Sequence, residues 1–121
     1  MKKVNYLRIG FILMAISIAL GALAAHALEK SLEAKYLAVF YTGNKYFSIH
    51  ALALILLSSV EKLSHLNWCR HFLFVGIIFF CGNCFLYSFT GIKVFAMLVP
   101  IGGFSFIIGW ILGFIELRKI K

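Results

Sequence analysis

Three observations predict an all-α membrane protein, four transmembrane helices with an amphipathic interfacial segment between helices one and two. The 121 residues are 63% hydrophobic and only 13% charged, with a mean hydropathy of +0.99. A soluble domain of that length cannot cover so much apolar surface, so the solvent of this chain is lipid. The apolar residues fall into runs near the twenty or so that cross a bilayer, separated by short polar stretches. The basic residues, which give a formal charge of +8, stand at the ends of those runs. There they anchor to anionic headgroups, and no nucleic-acid partner is expected. The length allows one compact domain, residues 1–121.

The first span is read over 6–25. Lys2 and Lys3, an apolar run and the Ala25-His26-Ala27 triplet imitate a secretory signal. The run from Ile9 to Ala25 exceeds the usual signal core, and later spans need a first helix to pack on, so it is read as retained. Ser17, Gly21 and Ala25 form a small-residue stripe suited to a close helix interface. In the segment 31–42, Leu32, Tyr36, Val39 and Phe40 recur at helical spacing, with Glu33 and Lys35 pointing elsewhere and Ser31 placed to cap. This is the expected interfacial stretch; a continuous second helix starting near Ser31 is the alternative. Helix two follows over 43–59. A polar loop containing Trp68 leads to helix three, 71–90, and a tight turn at Gly91 to Lys93 leads to helix four, 94–115. Pro100 lacks a backbone donor and Gly103 loosens the next turn, so an interruption is expected there.

With four spans, one side of the membrane carries Lys2, Lys3, Arg8, Lys62, Arg70, Arg118, Lys119 and Lys121, and the other Lys30, Lys35 and Lys93. That bias predicts cytoplasmic termini.

Within helix two, Thr42, Tyr46 and His50 are spaced by four and share a face. Counted from the start of that span, His50 lies about 10 Å deep. Asn83 on helix three, Pro100, Gly102 and Gly103 on helix four, and His26 beside helix one bracket the same outer zone. Either an outer-half pocket for an unidentified small molecule lies there, with His50 as a proton-responsive group, or the bundle merely packs most closely at that depth. Ser105, Gly109 and Gly113 form a second small-residue face with no assigned neighbour, which invites a partner helix or a homo-oligomer.

Cys69, Cys81 and Cys84 are too few for a disulfide framework and read as buried apolar groups. Soft-metal or haem ligation by Cys81, Cys84 and His50 is a third reading, without a CxxCH motif to support it. No metal site or cofactor is therefore expected. No nucleophile elbow, HExxH or phosphate loop is present, and all four acids lie in loops or at helix ends, so a catalytic reading lacks its acid and base.

Gly21 to Leu28 (GALAAHAL), Tyr46 with His50 and the following ALALILL, Phe79 to Asn83 (FFCGN), Thr90-Gly91, the PIGG turn and Gly109-Trp110 occur in an order that resembles the domain-of-unknown-function family 423, the transmembrane protein 256-like small multi-pass membrane proteins. The resemblance covers essentially the whole chain. It implies a multi-pass protein, in bacteria of the inner membrane, with no established activity, substrate or cofactor. Cys81-Gly82-Asn83 departs from the small Ser-Gly-Ser type run usual on helix three, which argues against a family-wide cysteine metal site. The resulting expectation is a non-enzymatic accessory or interaction subunit in the lipid bilayer, alone as a homo-oligomer or within a larger membrane complex. The alternative is a small oligomeric carrier or channel component.

Overall fold

The computed structural model describes residues 2–119, and of Lys3 and Val4 only the backbone. Within these bounds the chain is all-helical and forms four helices. α1 covers residues 3–31: an α-helix at Lys3–Leu23, a π-helical turn at Ala24–Leu28 and a last turn at Glu29–Ser31. α2 is Ala34–Ser59. A 3-10 turn at Glu61–Leu63 leads to α3, residues 67–90, built from Asn67–Gly76, a π-helical stretch at Ile77–Gly82, and Asn83–Thr90. α4 is Lys93–Leu117. Three stretches, Asn5–Ser31, Asn67–Thr90 and Lys93–Leu117, are long and apolar enough to cross a membrane. α2 is as long, but carries Lys35, Asn44, Lys45 and His50.

The connections set the packing order. Only Leu32 and Glu33, both extended, separate α1 from α2. Gly91, left-handed at φ 68°, turns α3 into α4, a conformation in which a side chain is strained. The helices pack in sequence order, α1 on α2, α2 on α3 and α3 on α4. The principal core lies where α2 and α3 meet, around Phe47, Leu54, Leu73, Ile77 and Cys81.

Several expectations are corrected here. Residues 34–42 are not a separate interfacial segment but the first turns of α2. Their amphipathic stripe is real, yet Phe40 is buried against Ala24 and Leu28 at the end of α1, with Leu32 and Phe85 beside it, instead of facing headgroups. Ser31 caps nothing downstream; its hydroxyl donates to the Ala27 carbonyl within α1. α3 begins at Asn67, ahead of the expected start, and α4 runs through Pro100 without a break.

The small-residue faces are used inside the chain. Ser17 donates to Asn44 Oδ1 at 2.9 Å, and the Asn44 amide donates back to the Ser17 carbonyl at 3.1 Å. Gly21 adjoins the same amide. Ala25 is exposed and Ala24 buried instead. A strict four-residue step drifts about 40° around a helix of 3.6 residues per turn, so the stripe has rotated off the seam by its third member. The face of Ser105, Gly109 and Gly113 is not free for a partner: α3 covers it. Ser105 donates to the Phe72 carbonyl at 2.7 Å. A Cβ on Gly109 would stand 2.9 Å from Leu73, and one on Gly113 3.1 Å from Cys69 Sγ.

Arg70, expected at the headgroups, is fully buried. Its Nη1 donates to the carbonyls of Leu57 and Leu63, and its Nη2 to the Ser64 carbonyl and Asn67 Oδ1. One guanidinium thus ties together the last turn of α2, the loop and the first turn of α3, supplying among others a donor to the Leu57 carbonyl in the last turn of α2.

Candidate functional site

α2 and α4 both lean on α3 and leave a furrow between them, floored by Phe80. Towards the end of the bundle away from the termini lies a hollow of about 320 Å³, with Val39 and Thr42 on one wall, Ala96 and Val99 on the other and Cys84 and Tyr87 beneath. Next to it, sharing Phe80, lies a hollow of about 310 Å³ between Tyr46 and His50 on α2 and Gly103, Phe106, Ile107 and Trp110 on α4.

Two local features create this floor. A Cβ on Gly102 would stand 2.1 Å from the Phe80 backbone nitrogen, so α3 and α4 meet there backbone to backbone. Phe80 also lies in the π-helical stretch, whose wider turn leaves backbone groups without their usual partners. The Asn83 amide satisfies one of them, donating to the Phe79 carbonyl at 2.6 Å.

His50 is the chemical centre of the furrow. Its Nδ1 lies 2.7 Å from the Tyr46 carbonyl, and a carbonyl only accepts, so Nδ1 carries the proton. Nε2 then accepts from the Trp110 indole N–H at 3.0 Å. The ring stacks on Phe106, centroids 3.6 Å apart and planes 12° from parallel. Both ring nitrogens are thus used in the neutral form, and His50 is only 3% exposed. Tyr46 packs edge-on against Phe80 and is exposed at its rim, with the Lys45 ammonium 5.8 Å from its ring.

Of the residues singled out in the sequence, Tyr46, His50 and Gly103 come together, and Thr42 lines the adjoining hollow. The others do not join them. His26 is exposed in the π-helical turn of α1, Pro100 is exposed on α4, Gly102 is sealed against Phe80, and Asn83 is spent on the Phe79 carbonyl. Nor do they share one depth. α2 starts at Ala34, so His50 stands about 24 Å along it, and its partner Trp110 about 26 Å along α4. Asn83 lies only about 11 Å from the opposite end of the bundle on α3. The pair of His50 and Trp110 therefore belongs to the half nearer the termini, which corrects the outer-half placement. Among the described residues no group of three or more His, Cys, Asp or Glu is placed to hold a metal.

Phe80, Phe106 and Trp110 were not foreseen as site residues. Trp110 had a signal: an indole N–H in an apolar span needs an acceptor, and His50, well inside helix two, offers one.

A helical bundle with membrane-length apolar spans and a lateral furrow defines a small integral membrane protein. Comparison with known proteins agrees. The family model described as "Protein of unknown function (DUF423)" matches residues 20–103, and the chain belongs to that family. The UPF0382 membrane protein SSP2132 of Staphylococcus saprophyticus is 33% identical over 117 residues, 95% of this chain and 98% of that protein. The UPF0382 membrane protein YwdK of Bacillus subtilis is 34% identical over 114 residues, 88% of this chain and 90% of its own length. No solved structure matches significantly.

Proposed function

We propose that this membrane protein crosses a bacterial cytoplasmic (inner) membrane four times with both termini in the cytoplasm. We read it as a non-enzymatic accessory subunit whose docking face is the α2–α4 furrow, with a second copy of the chain as the first partner. Length supports the fourth span: α2 reaches about 39 Å, enough to cross, with Lys35 at its start and Lys45, near its middle, able to snorkel towards that start. The observation that carries the docking role is the state of His50. Its polar atoms are consumed inside the chain, while its partner Trp110 and the neighbouring Ile107 remain 46% and 54% exposed. The furrow is therefore mainly apolar, its free polar groups being the hydroxyls of Tyr46 at its rim and of Thr42 and Tyr87 in the adjoining hollow, which suits an apolar helix better than a permeating ion.

A photoreactive phenylalanine analogue at position 107, irradiated in native membranes, is expected to cross-link two copies of the chain. The same group at position 18 on α1, where Ile18 is 68% exposed, is expected to give no dimer. Adducts with lipid alone at both positions would remove the docking role. In the same membranes, Ser31→Cys should react with an impermeant thiol reagent from outside and Ser64→Cys should not; the reverse pattern overturns the orientation.

A further inference from the structure

On the opposite side of the bundle, between α1 and α3, lies a second groove that the proposed docking role does not use. At the end carrying the termini the same two helices hold a hollow of about 230 Å³ lined by Tyr6, Asn67, Trp68 and His71. Tyr6 is buried, and its hydroxyl lies 2.8 Å from His71 Nδ1. With the phenol donating to Nδ1, the imidazole proton sits on Nε2. Asn67 has its carbonyl oxygen occupied by Arg70, which leaves its NH2 group. Trp68 is 63% exposed and contributes an indole N–H. The groups left over are therefore N–H donors, from Asn67, Trp68 and His71, without a protein acceptor among the described residues. Exposed Lys2, Arg8, Lys62, Arg118 and Lys119 surround this end, against Glu61 and Glu116. Such a set suits an oxyanion.

Further along the same two helices lies an apolar groove of about 410 Å³, with Leu13, Ile16 and Leu20 on one side and Phe74, Ile77 and Phe85 on the other. Phe74 joins the two parts, packed edge-on against Tyr6 with centroids 5.7 Å apart. From Tyr6 in the hollow to Leu20 at the far end of the groove is about 21 Å along α1, more than half of a hydrocarbon core of about 30 Å. We infer that the α1–α3 groove holds one glycerophospholipid, its phosphate in the hollow of Tyr6, Asn67, Trp68 and His71 and one acyl chain along Leu13 to Phe85. A free phosphate shares the headgroup chemistry but makes no use of the apolar part.

Native mass spectrometry of the whole chain in detergent distinguishes these sources. Titrated phosphatidylglycerol is expected to give one saturable adduct that survives collisional activation. Diacylglycerol, which lacks the phosphate, is expected to bind at least about tenfold more weakly, the worth of losing one charge-assisted hydrogen bond or more, and glycerol phosphate, which lacks the chains, at least about tenfold more weakly through the loss of apolar contact. His71→Phe, which keeps a ring but removes the donor, should weaken phosphatidylglycerol by about tenfold and leave diacylglycerol unchanged. Leu13→Trp, which fills the apolar groove, should weaken both lipids. Equal retention of diacylglycerol and phosphatidylglycerol, equal retention of glycerol phosphate, or indifference to both substitutions overturns the inference.

Discussion

Arg70 and His50 are both buried among apolar helices, and the chain bonds them in opposite ways, Arg70 Nε alone being left without a partner. Every bond of Arg70 ends within thirteen residues of it, on the turn, loop and helix start that it clasps. His50 takes one bond from its own helix and the other from Trp110, sixty residues away, on a side chain half open to lipid. The first arrangement is closed: nothing outside the chain can reach it without unfolding the loop. The second has an outer member that a neighbour in the membrane can touch. In the proposed role, the clasp of Arg70 serves stability and the pair of His50 and Trp110 serves contact.

The largest expected effect tests the closed side of that contrast. Arg70→Met keeps the length of the side chain and removes every donor, leaving the buried carbonyl of Leu57 and the part-buried carbonyl of Ser64 unpaired and that of Leu63 with only the Leu66 N–H. A loss of about 3–5 kcal/mol is expected, in line with breaking a buried charged network, read by reversible unfolding in mixed micelles. A variant within about 1 kcal/mol of the parent would mean that water replaces the guanidinium and that the clasp is dispensable.

A smaller effect separates glycines that look alike in the sequence. Gly102→Ala places a Cβ against the Phe80 backbone, which cannot rotate away, and should cost about 1–3 kcal/mol as α3 and α4 separate. Gly82→Ala, whose new Cβ meets nothing within 4 Å, should be neutral or gain up to about 1 kcal/mol from helix propensity. Equal outcomes would show that the floor of the furrow adjusts, and that Phe80 is not held by the backbone contact.

How much of this was legible before the fold was known follows from which quantities a sequence carries. Hydropathy carried the helical class and the apolar runs, because burial in lipid is a property of composition. The four-residue spacing carried the shared face of Tyr46 and His50. Depth was not carried. Starting the second helix at residue 43 instead of at Ala34 displaced His50 by about 14 Å, enough to move it past the middle of the bundle. Neighbours were not carried either. Ser105, Gly109 and Gly113 read equally well as a seam with α3 or with another chain, and only the assembled bundle assigns them. Arg70 was counted with the headgroup anchors because charge on a span end usually means that. Its burial depends on a loop folding back so that several carbonyls converge on one guanidinium, a tertiary coincidence with no local signature.

The smallest effect is the most informative about the open side. His50→Leu removes the acceptor of the Trp110 indole, and Trp110→Phe removes the donor to His50 Nε2. Each single change should cost about 1 kcal/mol, since interhelical hydrogen bonds in membranes average below that and some packing is lost with them. In the double variant neither group is left without its partner, so the combined loss should fall short of the sum by about 0.5–1.5 kcal/mol. That shortfall isolates the bond from the stacking of His50 on Phe106, which His50→Leu disturbs in both backgrounds. Strict additivity would mean that the bond contributes nothing and that Phe106 alone fixes the imidazole. The same three proteins then address the docking face. If Trp110 is held in place by His50 to present the furrow, His50→Leu should weaken cross-linking through position 107 although His50 itself is 3% exposed. Loss of stability without loss of cross-linking would assign His50 to packing and leave the furrow to its apolar walls.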